Sequence, residues 1–390
     1  MDISISNSIK YIGVDDEDID LFESQYVVPE GVSYNSYLIM DEKIALMDTV
    51  DERKEDEWAK NLIDCLEGKK VDYLVVSHME PDHSGSIERV LSLFPDVTLV
   101  GNAKTFQFMA QFIDADVESL NKIVVKEGDE LSLGEHVLSF YMAPMVHWPE
   151  VMVTYEKTEK VLFSADGFGK FGALELTAGD DWACEARRYY FNIVGKYGAP
   201  VQMLLKKAAT LDIEKICPLH GPILTENLSY YIGLYDTWSK YEAENKGVLV
   251  AYASIHGNTG KAAEKIGELL REAGVEKVVV SDLAREDMAE VIEDAFRYDK
   301  MVLCGASYDA GVFPCMQDFL NHLQAKAYQN RKVALLENGS WAPSAAKTMR
   351  SILETMKDIT ILDPVVTIKS TMKDSDMDAI KALVEAVANS

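Results

Sequence analysis

The sequence predicts a two-domain α/β protein, with an αββα sandwich of two facing sheets over residues 1–246 and a doubly wound parallel sheet over residues 247–390. Three observations predict this fold. A chain of 390 residues is too long for one ordinary hydrophobic core. The first part has many short apolar runs divided by turn residues, with helical patterns between them, as in sheets covered by helices. The last part alternates apolar runs regularly with helical patterns, as in a parallel sheet.

The first part opens with strands. Strand-like runs at 34–40 and 43–48, on either side of the turn Asp41–Glu42, predict a hairpin of two half-buried strands. Apolar residues then recur at helical spacing over 51–68, and a buried strand is predicted at 71–76. The other elements predicted for this part are strands at 97–100, 122–125, 136–142, 151–155, 160–164 and 214–217, and helices at 87–93, 102–114, 180–208 and 225–245.

The pattern changes near residues 244–247, and the second domain is predicted from there. Regular alternation of strands and helices over about 140 residues implies parallel strands joined by covering helices. The predicted strands are 248–253, 277–281, 300–305, 332–337 and 360–368, and the predicted helices are 259–273, 286–296, 315–326, 343–357 and 374–388.

Composition excludes several classes of partner. A formal net charge of -27 argues against binding to nucleic acid or to an anionic membrane surface, since both would be repelled. No run of 18 apolar residues occurs, and the first residues lack the basic region and apolar block of a signal peptide, so we expect a cytoplasmic protein. The five cysteines are odd in number and never spaced Cys-x-x-Cys, which argues against a disulfide framework or a zinc knuckle.

Metal-ligating residues gather at the ends of predicted strands in the first domain. An isolated histidine is more often a satisfied polar residue than a ligand, but the repeated placement at strand ends reverses that interpretation. Seven ligands are too many for one tetrahedral ion and suit two ions, with Asp166 as the shared bridge. Three carboxylates and a bridging hydroxide would balance two divalent ions. The candidate ligands are His78, Glu80, Asp82, His83, His147, Asp166 and His220.

Three loops at the ends of predicted strands in the second domain are candidate cofactor-binding segments. The first, residues 254–260, runs from a strand into a helix, where free N–H groups and the helix N-terminus can hold a phosphate. It contains neither Gly-x-x-x-x-Gly-Lys-[Ser/Thr] nor Gly-x-Gly-x-x-Gly, which argues against nucleoside triphosphates and dinucleotides. The loops at 305–311 and 338–343 belong at the same sheet edge.

The motif His78-x-Glu80-x-Asp82-His83 resembles that of the metallo-β-lactamase superfamily, His-x-His-x-Asp-His followed by later His, Asp and His ligands. Glu80 stands where the hydrolases have a second histidine, and a carboxylate favours iron over zinc. With its second domain, the chain resembles the flavodiiron proteins over nearly its whole length. The resemblance implies two iron ions with an oxo or hydroxo bridge, held by His78, Glu80 and His147 on one iron, by Asp82, His83 and His220 on the other, and by Asp166 as the bridge.

The resemblance also suggests supporting residues. Asp48 matches an acidic position of the superfamily that supports the ligand loops, with an ordinary turn residue as the alternative. Many flavodiiron proteins have a histidine that binds no metal just before a Pro-x-Gly-x-x-Tyr-Asn stretch. This chain has that stretch at 29–35 but lacks the histidine, so Tyr26 is a candidate substitute in catalysis. Trp148 is a candidate wall of the substrate pocket, with a role in core packing as the alternative.

The loop at 254–260 resembles the phosphate loop of flavodoxins, which implies FMN. Trp341 is the first candidate for stacking on the flavin ring and Tyr308 the second, although packing of Trp341 on a neighbouring helix is an alternative. The residues expected to bind FMN are Ser254, Ile255, His256, Gly257, Asn258 and Thr259 in the first loop, Ser307, Tyr308, Asp309, Ala310 and Gly311 in the second, and Asn338, Gly339, Ser340 and Trp341 in the third.

Together these resemblances imply a terminal reductase that converts O2 to water, or NO to N2O, with electrons delivered through FMN. No rubredoxin or NAD(P)H-binding domain is evident in the sequence, so a separate carrier such as rubredoxin is expected, as is a head-to-tail homodimer or a dimer of dimers. Two alternatives remain open. One is a zinc-dependent hydrolase of the same superfamily that acts on an ester or thioester, and the other is a non-enzymatic di-iron O2 sensor.

Overall fold

The computed structural model describes residues 5–390, so residues 1–4 of the opening segment considered for a signal peptide lie outside the described part. The chain divides into two compact units. The first contains the described residues up to Tyr190 together with Ala199–Asp236, and the second contains Phe191–Gly198 and Thr237–Ser390. The second unit thus also includes two segments that precede residue 247. The boundary between residues 246 and 247 stays a prediction.

Two large sheets form the first unit. Their strands are short, as the frequent turn residues predicted. In spatial order, the six-stranded sheet is Ile9–Tyr11, Tyr37–Ile39, Ala45–Met47, Tyr73–Val75, Thr98–Gly101 and Lys122–Val124, and the five-stranded sheet is Glu130–Ser132, Val137–Met142, Met152–Glu156, Val161–Phe163 and Lys215–Cys217. Two small hairpin-like pairs join Val14–Asp16 to Val32–Tyr34 and Leu21–Phe22 to Tyr26–Val27. The α-helices are Glu55–Leu66, Pro81–Ser84, Ile87–Leu93, Ala103–Phe112, Trp182–Tyr189, Gly198–Ala208 and Leu228–Ser239.

The two sheets face one another across a shared core. Tyr37 and Val75 from the six-stranded sheet lie in the same buried cluster as Phe140 and Phe163 from the five-stranded sheet. Burying one such side chain stabilises the fold by about 1.5–3 kcal/mol, so this contact fixes the face that each sheet presents. With helices outside the sheets, the predicted αββα sandwich is confirmed.

The helical stretch predicted over 180–208 is present from Trp182 to Ala208, but it is not one regular α-helix. The structure has an α-helix at Trp182–Tyr189, a π-helical turn at Tyr190–Val194, a 3-10 turn at Gly195–Tyr197 and a second α-helix at Gly198–Ala208. Pro200 explains the new start. Proline lacks an amide hydrogen and is tolerated in the first turn of a helix but not in its interior.

One parallel sheet is the centre of the second unit. Its main strands, in spatial order, are Val278–Asp282, Asn245–Ala253, Tyr298–Tyr308, Arg331–Asn338 and Ile359–Ile361, with Gly311–Val312 and Val366–Ile368 beside them. When the five main strands are numbered along the chain, their order across the sheet is 2-1-3-4-5, as in flavodoxin-like folds. The predicted doubly wound sheet is therefore confirmed. The covering helices are Asn258–Glu272, Met288–Arg297, Pro314–Ala325, Ala345–Leu353 and Met377–Ala388.

The predicted fifth strand, 360–368, is two short strands rather than one. Ile359–Ile361 and Val366–Ile368 both pair in parallel with Arg331–Asn338. Pro364 lies between them and cannot donate a backbone hydrogen bond to a neighbouring strand, which accounts for the interruption. Among residues 5–390, no helix has the length and the apolar character needed to cross a membrane.

Candidate metal and flavin sites

A buried carboxylate holds the start of the metal-binding loop. Asp48 is 2% exposed, and it accepts hydrogen bonds from the Ser77 amide at 2.7 Å and the Ser77 hydroxyl at 2.6 Å. Asp48 and Ser77 follow two neighbouring parallel strands, Ala45–Met47 and Tyr73–Val75. These bonds fix the backbone immediately before His78, so the structure gives Asp48 the supporting contact that the resemblance suggests.

One group of predicted ligands contains two imidazoles and two carboxylates. His147 Nε2 lies 2.9 Å from Glu80 Oε2 and 3.0 Å from Asp166 Oδ2. His78 Nε2 lies 3.3 Å from the same Asp166 oxygen and 3.5 Å from the same Glu80 oxygen. Four ligand atoms from three separate loops therefore surround one point.

The second group lies beside the first. His220 Nε2 is 3.0 Å from His83 Nε2 and 3.1 Å from Asp82 Oδ2. His83 Nε2 is 3.3 Å from that Asp82 oxygen and 3.5 Å from Asp166 Oδ1. His220 Nδ1 lies 2.8 Å from the Ser33 carbonyl and, as a donor to it, leaves Nε2 to bind metal.

Asp166 lies between the two groups and presents one carboxylate oxygen to each. Oδ2 faces His78 and His147, while Oδ1 faces His83. This is the arrangement expected of a bridging carboxylate. The structure brings all seven predicted ligands together in this way, and their role as ligands stays a prediction.

The donor set suits metal ions better than hydrogen bonds. His78, Asp82 and Asp166 are buried, yet none of their ring nitrogens or carboxylate oxygens has a hydrogen-bond partner of good geometry among the described residues. The Nε2 atoms of His83 and His220 point at one another, and two imidazole nitrogens cannot both donate across one gap. Buried polar atoms without partners are costly, and cations between these atoms would satisfy them.

The candidate ligands shift each other's pKa values, so that imidazoles are protonated and carboxylates are charged when no metal is bound. Burial alone would lower the pKa of His147, but the Asp166 and Glu80 carboxylates, 3.0 Å and 2.9 Å away, raise the pKa to about 10. Burial would raise the pKa of Glu80, but the neighbouring His147 and His78 imidazoles lower the pKa to about 2. Burial likewise opposes the low pKa of Asp166 and the high pKa of His78, which their mutual attraction enforces. Without metal, the protonated imidazoles of His78 and His147 therefore pair with the charged carboxylates of Glu80 and Asp166.

We expect metal binding to release protons even at pH 8. An ordinary imidazole, with a pKa of 6.5, is already neutral there, whereas His147 with a pKa of about 10 is still protonated and must lose its proton to bind metal. Adding Fe(II) or Zn(II) to metal-free protein in weak buffer with a pH indicator should therefore release about one proton or more per chain. The same raised pKa stabilises the metal-free fold below pH 6.5, and this contribution is lost as the pH rises through 10.

Glu150, which the sequence analysis did not identify, braces the same loop. Its side chain is 2% exposed, and Oε1 accepts a hydrogen bond of 2.9 Å from the Met79 amide, between His78 and Glu80. Asn102 Nδ2 donates to the Glu150 carbonyl. No motif marks this contact, and the proximity of Glu150 to His147 in sequence is its only signal.

Replacing Glu150 with alanine is expected to weaken metal binding without removing a ligand. Loss of a hydrogen bond that orients a ligand loop, such as the bond from the Met79 amide to Glu150, lowers metal affinity by about 10–100-fold. Competition against a chromogenic chelator measures the affinity. Glu88→Ala, at an exposed position of the helix Ile87–Leu93, is the control, and equal affinities in the two variants would contradict a bracing role for Glu150.

The two predicted catalytic residues have different surroundings. The Trp148 ring centroid lies 6.4 Å from that of His78 and 6.5 Å from that of His147, and on its other side it contacts Phe108 and Phe112. Tyr26 is buried and packs against Phe171 at 6.2 Å, and burial together with the Glu23 charge raises its pKa. Trp148 therefore borders the predicted ligands directly, and the catalytic role of each residue stays a prediction.

Glu23 also reaches the metal-binding loop and was missed from the sequence. The charge of Glu80 acts on its carboxyl group, and Gln25 Nε2 donates to Glu23 Oε2 at 3.0 Å. Desolvation and the Glu80 charge raise the pKa of Glu23 to about 7, although the Gln25 bond opposes the shift. Glu23 and Ser24 form the turn between two short strands, both with positive φ. The sequence offers only this turn as a signal.

The first predicted FMN loop has the features of a phosphate cradle. Ser254 Oγ is buried without a hydrogen-bond partner among the described residues. Gly257 adopts φ +84 and directly precedes the helix Asn258–Glu272, so the loop ends at a free helix N-terminus. Ile255 and His256 are exposed, and Thr259 accepts a hydrogen bond of 3.2 Å from Asn338 Nδ2. An unpaired hydroxyl at a helix start suits a phosphate group.

The other two loops lie at the same sheet edge. The third strand extends to Tyr308, and Asp309 and Ala310 form a turn before Gly311. Ser307 Oγ accepts from the Ser344 amide at 2.9 Å and so connects the second loop to the third. Gly339 lies close to both Pro343 and Ser307. These contacts bring the predicted FMN loops together.

Aromatic side chains in these loops are open to solvent. Trp341 is 92% exposed and Tyr308 is 44% exposed, so the alternative in which Trp341 packs on a neighbouring helix is wrong. Ser340 Oγ lies 2.6 Å from Ser370 Oγ, and Asn338 accepts from the Ser370 amide. Ser370 follows the last strand and was missed from the sequence. Exposed rings beside an unpaired hydroxyl fit a flat cofactor with a phosphate.

The fold and the two sites define a class of protein, one that joins a metallo-β-lactamase-like sandwich with a binuclear ligand set to a flavodoxin-like unit. A family model described as ODP family beta lactamase matches residues 32–221, and the model of the flavodoxin family matches residues 250–381. The fold thus agrees with two family models.

The known relatives extend over the whole chain. An uncharacterized protein of Methanocaldococcus jannaschii is 31% identical over 97% of this chain and 95% of its own length. The nitric oxide reductase of Moorella thermoacetica is 29% identical over 99% and 98%. The solved structure of rubredoxin oxygen:oxidoreductase from Desulfovibrio gigas has a TM-score of 0.90 at 24% identity and covers 99% of this chain and 98% of that one, which shows a shared fold. The chain spans only 56% of a diflavin flavoprotein of Synechocystis.

This chain belongs to the flavodiiron family. Membership confirms the resemblance drawn from Glu80 and from the second domain. The flavodoxin-like unit and the metal-ligand set support FMN and a metal centre as cofactors.

Proposed function

We propose that this protein reduces O2 to water, NO to N2O, or both, at a pair of iron ions, with electrons delivered through FMN. The observation that carries the proposal is Glu80, a carboxylate within 2.9 Å of His147 in a binuclear ligand set, in a chain that also has a flavodoxin-like unit. A carboxylate in place of a histidine favours iron and oxidised metal states. The flavodoxin-like unit would pass electrons from a separate carrier to the metal site, which a reductase needs and a hydrolase does not.

The names of the relatives support this reaction and a carrier. The Moorella relative is named a nitric oxide reductase, and the Desulfovibrio protein is named for both rubredoxin and oxygen. We therefore include rubredoxin or a similar small carrier as the electron donor. A cytoplasmic location and a head-to-tail homodimer, or a dimer of dimers, complete the proposal.

The chain's own residues hold and shield the site. FMN would supply the capacity to transfer electrons singly or in pairs, and an iron pair held by the seven candidate ligands would supply the centre for gas reduction. Asp166, with one oxygen toward each group, keeps the two metal positions together. The hydrogen bond from His220 to Ser33 fixes that imidazole's orientation. Trp148, in contact with Phe112, places an apolar ring beside His147.

The reaction tests the proposal directly. Reduction of O2 to two waters consumes four electrons and four protons, and reduction of two NO to N2O and water consumes two of each. Protein with iron and FMN is reduced anaerobically and mixed with O2 or NO in a stopped-flow instrument, and N2O is measured in the headspace. We expect rapid reoxidation of the flavin by at least one gas.

The two alternatives give different results. Failure of both gases to reoxidise the protein would reject the reductase, and zinc in the purified protein with thioesterase activity would support the hydrolase. A gas adduct without turnover would support the sensor. Anaerobic reduction of the iron without any change in the FMN spectrum would count against electron delivery through the flavin.

A further inference from the structure

Lys170 is a buried lysine outside the predicted ligand set. Its side chain is 2% exposed, and its Nζ takes part in none of the hydrogen bonds or ion pairs seen within residues 5–390. Burial lowers the pKa of Lys170, and the charges of Glu185, Asp180 and Glu30 oppose this without forming an ion pair. An amine in this position lacks the partner that buried charges in proteins usually have.

A cavity of about 360 Å³ lies beside Lys170 and is lined in part by its side chain. Sites for small molecules span roughly 300–1,000 Å³, so this cavity suits a small ligand. Trp182, Pro222 and Ile223 supply apolar surface, and the exposed Thr225 supplies a hydroxyl group. We call this cavity the Lys170 pocket.

The Lys170 pocket adjoins the loops of the predicted metal centre. Lys170 follows Asp166 by four residues, and Pro222 and Ile223 follow His220. Gly221 has φ +77, and a Cβ atom placed there would come 2.5 Å from Lys170 Cγ. The stem of Lys170 therefore packs directly on the backbone next to His220, so a change at the amine can reach both loops.

We propose that the Lys170 pocket binds a small organic acid, with the ligand carboxylate on Lys170 Nζ and its apolar body against Trp182, Pro222 and Ile223. A carboxylate forms strong charge-assisted hydrogen bonds with an ammonium group and supplies the missing partner. A neutral ligand leaves the amine unpaired. A polyanion would bring more negative charge against Asp180, which also lines the cavity.

Benzoate is a suitable probe, with benzamide as its neutral counterpart and acetate as a carboxylate without the apolar body. Isothermal titration calorimetry on the full chain, prepared with iron and without metal, should show benzoate binding in both preparations. Benzamide and acetate should bind at least about tenfold more weakly, the loss expected for one charge-assisted contact or for the apolar surface. Binding seen only with iron would assign the carboxylate to the metal centre and overturn the proposal.

Lys170→Met tests the amine. The variant should bind benzoate at least about tenfold more weakly than the wild type and no better than benzamide, because methionine keeps the stem but not the charge. Lys206→Met removes an exposed lysine of the first unit and should bind benzoate as the wild type does. Unchanged benzoate affinity in Lys170→Met would overturn the proposal.

Stability and labelling give two further readouts. Since the amine has no partner, Lys170→Met without ligand should melt at the wild-type temperature or higher, and a clear drop in Tm would show that the amine already has a structural partner.

If the variant does not fold, reductive methylation of the wild type tests the proposal instead. Benzoate should slow methylation of Lys170 in peptide mass spectra and leave Lys206 unaffected, whereas equal rates with and without benzoate would overturn the proposal.

Discussion

Replacement of Asp166 with asparagine is expected to lower bound metal from two ions per chain to one or fewer and the rate of gas reduction by at least about 100-fold. Asp166 is 1% exposed, and its two oxygens face separate ligand groups. An amide keeps the size of the side chain but has one weak oxygen donor and no charge. Both metal positions therefore lose a ligand at once, which no other single substitution in the set does.

Two measurements test this effect separately: the metal content of the variant and the number of protons that it releases when metal is added. Elemental analysis gives the metal content of Asp166→Asn, and Asp96→Asn, on the surface of the same unit, is the control. The Asp166 carboxylate is the largest cause that raises the pKa of His147, so the variant should also release fewer protons on metal addition at pH 8. A variant with two ions and normal proton release would show that Asp166 is no bridge.

The fold was predictable because both parts of the chain repeat a simple pattern. Five apolar runs with helices between them define the second sheet, and the hairpin around Asp41–Glu42 is present, with Leu38 opposite Leu46. The errors came where local chemistry interrupts a pattern that is otherwise continuous. Pro200 and Pro364 each break an element that apolar spacing alone extends through them.

The clustering of the candidate ligands was predictable because the chain has only seven histidines and four of them follow predicted strands of the first domain. His78 to His83 form one dense motif, and the ends of neighbouring parallel strands must meet at one edge. Glu23 and Glu150 could not be found in this way. A carboxylate is common on any surface, and both reach the loop through folding of distant segments, Glu150 from 71 residues away in sequence. Lys170 is similar, since burial without a partner leaves no trace in sequence.

Substitution of Glu80 with histidine is expected to change metal preference from iron toward zinc. Glu80 Oε2 lies 2.9 Å from His147 Nε2 and 3.5 Å from His78 Nε2, so a histidine there would give the donor set that resembles the hydrolases. The change removes one negative charge and one hard oxygen donor, and both favour iron. When equal amounts of Fe(II) and Zn(II) compete anaerobically, the zinc-to-iron ratio should rise at least about tenfold.

In Glu80→His, the reductase activity should fall by a larger factor than the amount of bound iron does. A ligand set with one negative charge fewer stabilises oxidised iron less well than one with Glu80, so the variant reconstituted with iron alone should still reoxidise at least about 100-fold more slowly. Glu80→Asp, which keeps the charge on a shorter side chain, is the matched control and should retain the wild-type metal preference. If Glu80→His and Glu80→Asp show the same metal ratio and the same rates, then charge at this position does not determine the chemistry. The preference for iron would then have to come from the pairing of the two metal positions through Asp166.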